Sequence, residues 1–224
     1  MRHIFVDYEM HPLADRYDNL RKICSMESIE IGAVMLNNNM EKISDFRSYI
    51  RQQFNNEIYS KYRTLTGIRE CDIADAPDFR TVMKQFCEWC ESFNDPDYSI
   101  YAWSNSDYDH MRSEMCLKSV PVSEFPSNVL HRWIDVQAEY DRLIGAYNPT
   151  ALHRALESVG ITFSGKMHDA LYDADNTARL HVMMQDKASF MRDYTNVREY
   201  LNGKEDTVTL GDLFNLSLLQ QATA

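Results

Sequence analysis

The chain has 224 residues, 44% of them hydrophobic, with 23 Lys and Arg against 34 Asp and Glu for a formal net charge of −11. That length and apolar share suit one generous domain, or one domain with an appendage, built on a real core. The acidic balance argues against a protein that wraps long duplex nucleic acid, and no apolar run reaches the length of a signal peptide or membrane span, so a soluble cytoplasmic protein with no membrane partner is expected.

The opening stretch "IFVDYEMHPL" predicts a strand over residues 3 to 8. Side chains on a strand alternate between faces, so Asp7 and Glu9 point one way and Val6 and Tyr8 the other. Two carboxylates held side by side are costly in an interior unless a positive charge sits between them. Two readings stay open here: a bound cation, or an edge strand with both acids in water.

A polar segment with "ADRYDNLRK" loops to a second strand, "SIEIGAVML" at 28 to 36. The Asn cluster of "NNNMEKISDFRSYI" predicts a hairpin turn into a third strand, because Asn tolerates left-handed backbone. After a mixed segment ending in "TLTGI", a helix is predicted from Asp78 to Phe93, with acidic residues in its first turn and apolar residues three and four apart. It carries Cys87 and Cys90 as a C-x-x-C with no second pair, which reads as core packing. All five cysteines, with Cys24, Cys71 and Cys116, read as reduced thiols.

"DPDY" breaks that helix. "YSIYAW" (98 to 103) is the next strand, "SDYDHMRSEMCLKS" a helix entered from its carboxyl end, and "VLHRWIDV" (129 to 136) a further strand leading into helix "QAEYDRLIGA". Helices continue to Gln185; "NPTALHRALESVG" opens with Pro149 in its first turn and closes on Gly160 as a C-cap. Residues 186 to 224 form a helical C-terminal extension, whose "TLGDLFNLSLLQQ" would pack on the domain or join two subunits in a homodimer. Three antiparallel strands followed by two βα units make residues 1 to 185 an α/β domain, a mixed sheet flanked by helices.

Further acidic groups fall where this architecture places function. Asp107 and Asp109 directly follow a strand, at a helix start, where ligands of open α/β sheets bind; one of the two would serve as an N-cap. His168 stands five residues before Asp173, and five residues turn a helix through about 140°, so His168 fits best in the loop before it, with Asp169 as N-cap. Ala170, Ala174, Thr177 and Ala178 form a small-residue stripe that would let this helix approach the sheet and deliver Asp173 to the first strand. Of the aromatic residues nearby, Tyr8 and Trp103 read as core, and Tyr108 remains a candidate for stacking on a base.

In this order, D-x-E, then D, then H-x-x-x-x-D, the chain resembles the DEDDh 3′-to-5′ exonucleases, the superfamily of ribonuclease T, oligoribonuclease and the proofreading subunit of DNA polymerase III. "TLTGIRECDIADAPDF", "YAWSNSD", "WIDVQAEY" and "ALHRALESVGITFSGKMHDALYDADNTARL" are similar to the branch of histone-mRNA 3′-end exonucleases and their bacterial relatives, over roughly residues 1 to 185. The resemblance implies an RNase H-like fold with a five-stranded mixed sheet. It implies hydrolysis of single-stranded or short nucleic acid from its 3′ end, releasing nucleoside 5′-monophosphates, with RNA favoured over DNA on the branch alone.

Carried over by position, the first motif falls on Asp7 and Glu9 and the third on His168 and Asp173. The second falls on Asp107, with Asp109 the runner-up. Hard oxygen donors imply two Mg²⁺ or Mn²⁺ ions, about 4 Å apart in such sites. Asp7 would bridge both, Glu9 and Asp173 complete one, and Asp107 hold the other mainly through water. His168 would take the proton from the attacking water. Ser104 stands where the branch has Gly, and Met10 and His11 where small residues or Thr are usual; these and Asn105 are the substrate-binding candidates. The competing reading is an exonuclease-fold binding or scaffolding subunit without turnover, against which all five motif positions are filled.

Overall fold

A computed structural model describes residues 1–93, 97–131 and 133–202. The alternating apolar runs form three long strands: β1 (Arg2–Pro12), β2 (Met26–Leu36) and β3 (Lys42–Tyr49), each antiparallel to the next. The segment between β1 and β2 is a 3₁₀ turn at Asp15–Tyr17 followed by α1 (Asp18–Arg21). The Asn cluster closes the β2–β3 hairpin: the Asn37 side-chain oxygen accepts from the Asn39 and Glu41 N–H groups, and Met40 takes φ 62°.

The first helices are α2 (Ser60–Thr66), α3 (Glu70–Ile73) and α4 (Phe79–Glu91), the last capped by Asp78, which accepts from the Thr81 N–H. There follow β4 (Tyr98–Ala102), α5 (Asn105–Leu117), α6 (Ser127–Leu130) and β5 (Ile134–Asp135). The chain continues through α7 (Val136–Ile144), α8 (Leu152–Glu157), α9 (Ala170–Gln185) and α10 (Lys187–Asn202).

The strands order as β3-β2-β1-β4-β5, with β4 parallel to both β1 and β5, which is the expected five-stranded mixed sheet. Alternation along β1 and β2 sends Val6, Tyr8, Ile31 and Ala33 into a core with α4 and α5, where Phe86, Cys87, Cys90 and Met111 are buried. The other face sends Phe5 and Val34 against α7 to α10, where Tyr140, Leu156, Leu180 and Phe190 are buried. All five cysteines are free thiols.

Three boundaries differ from expectation. The strand predicted over 129–136 shrinks to Ile134–Asp135, because residues 127–130 form α6 and Trp133 turns inward, its indole N–H donating to the Val129 carbonyl at 3.0 Å. Pro149 lies ahead of its helix rather than in its first turn: α8 begins at Leu152 after an extended Ala151. Gly160 sits beyond the helix end at φ 73°, in a turn where the Ile161 N–H returns to the Leu156 carbonyl at 3.0 Å. The base of α10 belongs to the second core, since Phe190 is fully buried with its ring edge-on to Tyr140 at 6.0 Å; "TLGDLFNLSLLQQ" lies outside the described residues.

Candidate metal centre

Asp7 and Glu9 share the sheet face that receives α9. Asp7 stands opposite Gly32 of β2, and Gly32 stands opposite Arg47 of β3, so a residue without a side chain lies between an acid and a base across three strands. The first turn of α9 fills that trough. A Cβ on Gly32 would lie 2.1 Å from the Leu171 nitrogen and 2.2 Å from the Ala170 carbonyl carbon, so only glycine admits the helix backbone here. Ala170, Ala174, Thr177 and Ala178 are all buried on this helix, as a close approach requires. Asp169 caps α9 by accepting from the Tyr172 N–H, and Asp173, one turn in, accepts from the Asp169 N–H at 3.2 Å and from that of His168. Oxygens of Asp7, Glu9 and Asp173 thereby come within 4.8 Å of one another.

Asp107 arrives from the other side through a gap in the sheet. The β1–β4 pairing covers only Arg2 to Phe5, so β1 has no strand beside it there from Val6 onward. Asp107, in the first turn of α5, is buried and accepts the freed Tyr8 N–H at 3.3 Å, while Asp109 is exposed. Neither caps the helix. Ser104 does, accepting from the Ser106 N–H, so the residue that replaces the branch's usual Gly has a structural use.

The remaining candidates separate. Met10 points to the opposite face and packs on the first core. His11 continues the face of Asp7 and Glu9 but is wholly buried: its Nε2 accepts the Tyr59 N–H at 2.9 Å, and its Nδ1 lies 3.0 Å from the side-chain amides of both Gln52 and Asn55. With both ring nitrogens engaged, His11 is corrected from a substrate contact to a structural group. Asn105 is the partly buried first residue of α5. Tyr8 is buried and stacked on Trp133, the Trp103 indole N–H donates to the Thr150 carbonyl, and the Tyr108 hydroxyl donates to the Leu130 carbonyl. Of the three, Tyr8 is excluded as a base platform by its burial.

The electrostatics of these acids suit a positive charge among them. Loss of solvent, then the charges of Asp107, Asp173, Glu9 and Glu30, hold the Asp7 carboxyl well above the usual carboxylate range. Burial, then Asp173 and Glu30, push Glu9 up to about 8. Burial raises Asp107 to about 7 against the Tyr8 N–H and His110, which pull it down. Asp173 is raised to about 6, again by burial, despite its two backbone donors. A fold that gathers four acids in one place, each made reluctant to ionise, fits a hard divalent cation, which would supply the compensating charge and accept oxygen donors.

His168 sits at the rim, exposed, in the loop before α9, at φ 60°, a left-handed conformation rare for residues other than glycine. Partial desolvation, then nearby His153 and Lys166, lower its pKa below the usual value, which keeps the imidazole neutral at pH 7. Local pattern did not single out Gly32, Glu30 or Arg47. Glu30 is buried opposite Glu9, a cross-strand register that no local spacing reveals.

Comparison with known proteins gives consistent findings. The RNase_T family model, described as exonuclease, matches residues 4–181. ERI1 exoribonuclease 2 of Mus musculus is 29% identical over 217 residues, covering 89% of this chain and 31% of the relative. The 3′-5′ exoribonuclease 1 of Homo sapiens is 28% identical over 170 residues, covering 71% of this chain and 47% of the relative. The chain thus spans less than half the length of these curated relatives. The crystallographic nuclease domain of 3′hExo, described as a DEDDh family member bound to rAMP, superposes with a TM-score of 0.70 at 24% identity, covering 83% of this chain and 92% of that one. Exonuclease I of E. coli with a dT13 oligonucleotide superposes with a TM-score of 0.61 at 14% identity, covering 86% of this chain and 43% of that one. These two superpositions bear on the fold.

Proposed function

Since the chain belongs to this exonuclease family, we propose that it is a metal-dependent 3′-to-5′ exonuclease, hydrolysing single-stranded or short nucleic acid from its 3′ end to nucleoside 5′-monophosphates, RNA in preference to DNA. The observation that carries the reading is the convergence of Asp7, Glu9 and Asp173 within 4.8 Å, with the buried Asp107 near enough for its charge to act on Asp7. The preference for RNA is supported by relatives named exoribonucleases and by a structural neighbour described with rAMP bound.

Asp7, Glu9 and Asp173 are the residues that would hold one divalent ion, and Asp7 with Asp107 a second. Mg²⁺ or Mn²⁺ bound there supplies charge neutralisation at the phosphate and a more acidic water. The protein's own part is positional. The strand holds two of the carboxylates at fixed spacing, α9 brings the third, and the open edge of β1 admits the fourth. His168, neutral and outside the acid cluster, takes the proton of the attacking water, which needs a free imidazole nitrogen within hydrogen-bond reach. Its lowered pKa keeps that nitrogen available in neutral solution.

The test is a panel of short single-stranded and duplex RNA and DNA oligonucleotides, labelled at either end, with Mg²⁺, Mn²⁺ or EDTA. The reading expects metal-dependent shortening from the 3′ end, fastest on single-stranded RNA. Release from the 5′ end, or full activity in EDTA, would overturn it. Binding without any shortening would instead favour a scaffolding role.

A further inference from the structure

Glu30 and Asp169 are two acids beside the metal centre that the proposed chemistry does not use, and both are held by one cation. Arg47 donates to Glu30 Oε1 from Nε at 2.7 Å and approaches it from Nη2 at 2.6 Å, while Nη2 also donates to Asp169 Oδ2 at 2.8 Å. The second Glu30 oxygen accepts the Ala170 N–H at 3.2 Å. One guanidinium therefore joins β2, β3 and the N-cap of α9, and Glu30, 1% exposed, receives both Arg47 and the first helical N–H. The planar fork of arginine suits this double task, which a single ammonium cannot reproduce.

The consequence runs to the metal ligand. The N–H of Asp169 donates to the Asp173 carboxylate, so whatever holds Asp169 also holds a donor that orients Asp173. His168 immediately precedes Asp169. Arg47 stands opposite Gly32, so its chain flanks the trough in which α9 begins, and it closes the helix onto the sheet at the point of closest backbone approach. It also offsets part of the charge of Glu30, which lies directly across from Glu9 and still acts on it.

We propose that Arg47 is a positioning residue: by clamping Glu30 and Asp169 it fixes the first turn of α9, and with it Asp173 and His168, against the carboxylates of β1. This rests on the exonuclease reading above for its kinetic consequences, but not for its consequences on metal binding. Residues that orient metal ligands without touching the ion typically change affinity or activity by 10- to 100-fold on removal.

The experiment compares wild-type protein with Arg47→Gln, Asp169→Asn, the double variant and Arg47→Lys. Turnover is read on a 3′-labelled RNA oligonucleotide with Mn²⁺, and Mn²⁺ affinity is read separately by calorimetry. Asp169→Asn keeps a capping oxygen while losing the ion pair, so it tests the clamp in a chain that keeps its helix start. The expected result is a loss of kcat of roughly tenfold for Arg47→Gln, with KM unchanged and Mn²⁺ affinity weakened by a similar factor. Asp169→Asn should do less, the double variant should match Arg47→Gln because both break one device, and Arg47→Lys should recover only part. Wild-type kcat and Mn²⁺ affinity in Arg47→Gln would overturn the proposal, as would a rise in KM alone, which would make Arg47 a substrate contact. If the wild-type protein shortens no oligonucleotide, the exonuclease reading fails, and the Mn²⁺ titrations still decide the clamp.

Discussion

Two groups of buried and half-buried acids gather against this sheet, and they are treated in opposite ways. Under α5, Glu27 and Glu114 are fully buried and fully answered: Lys118 Nζ lies 3.0 Å from one and 2.7 Å from the other. Glu114 also receives the Ser28 N–H and hydroxyl and sits 3.0 Å from His110 Nε2, while Glu27 accepts the N–H groups of Gln53, Phe54 and Asn55. Burial acts to raise the Glu114 pKa, but His110 and Lys118 outweigh it and hold it down at about 2, and His110 is carried up to about 9. At the candidate metal centre loss of solvent acts in the same direction, and the charges that act most on Asp7 and Glu9 are further acids, which add to it. Depth alone does not mark a functional carboxylate. What separates the groups is whether the protein supplies the counter-charge itself or leaves that to something bound.

The contrast can be broken experimentally, most severely at Asp7. Asp7→Asn should lower 3′-end hydrolysis about a thousandfold or more, a loss matching several kcal/mol of metal-derived stabilisation, without lowering the melting temperature of the metal-free protein. Retained activity would remove Asp7 from the site. His168→Ala should cost about 10²- to 10⁴-fold in rate with Mn²⁺ affinity largely kept. If calorimetry shows the ion lost as well, His168 is a ligand and not a base. Glu114→Gln should behave in the reverse sense: it takes the carboxylate from His110 and one of its two carboxylates from Lys118, and breaking a buried pair costs about 3–5 kcal/mol of stability. A denaturant melt should register that cost, while the turnover of the folded fraction stays close to wild type.

The smallest expected effect is one of pH. In metal-free protein Glu9, at about 8, and Asp107, at about 7, hold protons in the folded state that the unfolded chain has already released. The folded form therefore binds more protons, and stability falls as pH rises. Between about pH 7 and 8.5 the histidines with lowered pKa, among them His168 and His181, are mostly neutral whether folded or not and contribute little slope. His110 adds to the fall, because its raised pKa means a stabilising charge is lost as pH climbs toward 9. A melting temperature measured in EDTA should thus drop across this window. Saturating Mn²⁺ should remove the carboxylate share and leave that of His110, and a flat profile in EDTA would contradict the raised pKa values.

Much of this was readable from local pattern. A period of two places Asp7 and Glu9 on one face whatever the rest of the chain does, and a period near 3.6 puts the small residues of α9 toward the sheet. The choice of Asp107 over Asp109 rested on the resemblance and not on local pattern, because both stand at the same helix start. In the fold it depends on β4 ending early enough to free the Tyr8 N–H. His11 was a candidate because it follows the first motif where small residues or Thr are usual, yet three residues from the 52–59 segment enclose it. Gly32, Glu30 and Arg47 act through cross-strand register, and a register is a property of two segments together that neither displays alone.

The short reach of β4 alongside β1, which leaves a place for Asp107, also bears on the order in which the acid cluster can be assembled. The acids of the first strand are made first, but their partners come from α5 and finally from α9, nearly the whole domain later in the chain. A nascent chain that has not yet delivered Asp173 holds only part of the ligand set, and long-range contacts of this kind form late and cooperatively. On the proposed reading, competence to bind an ion would therefore be a check on completed folding, and a copy without Asp173 would leave nucleic acid intact.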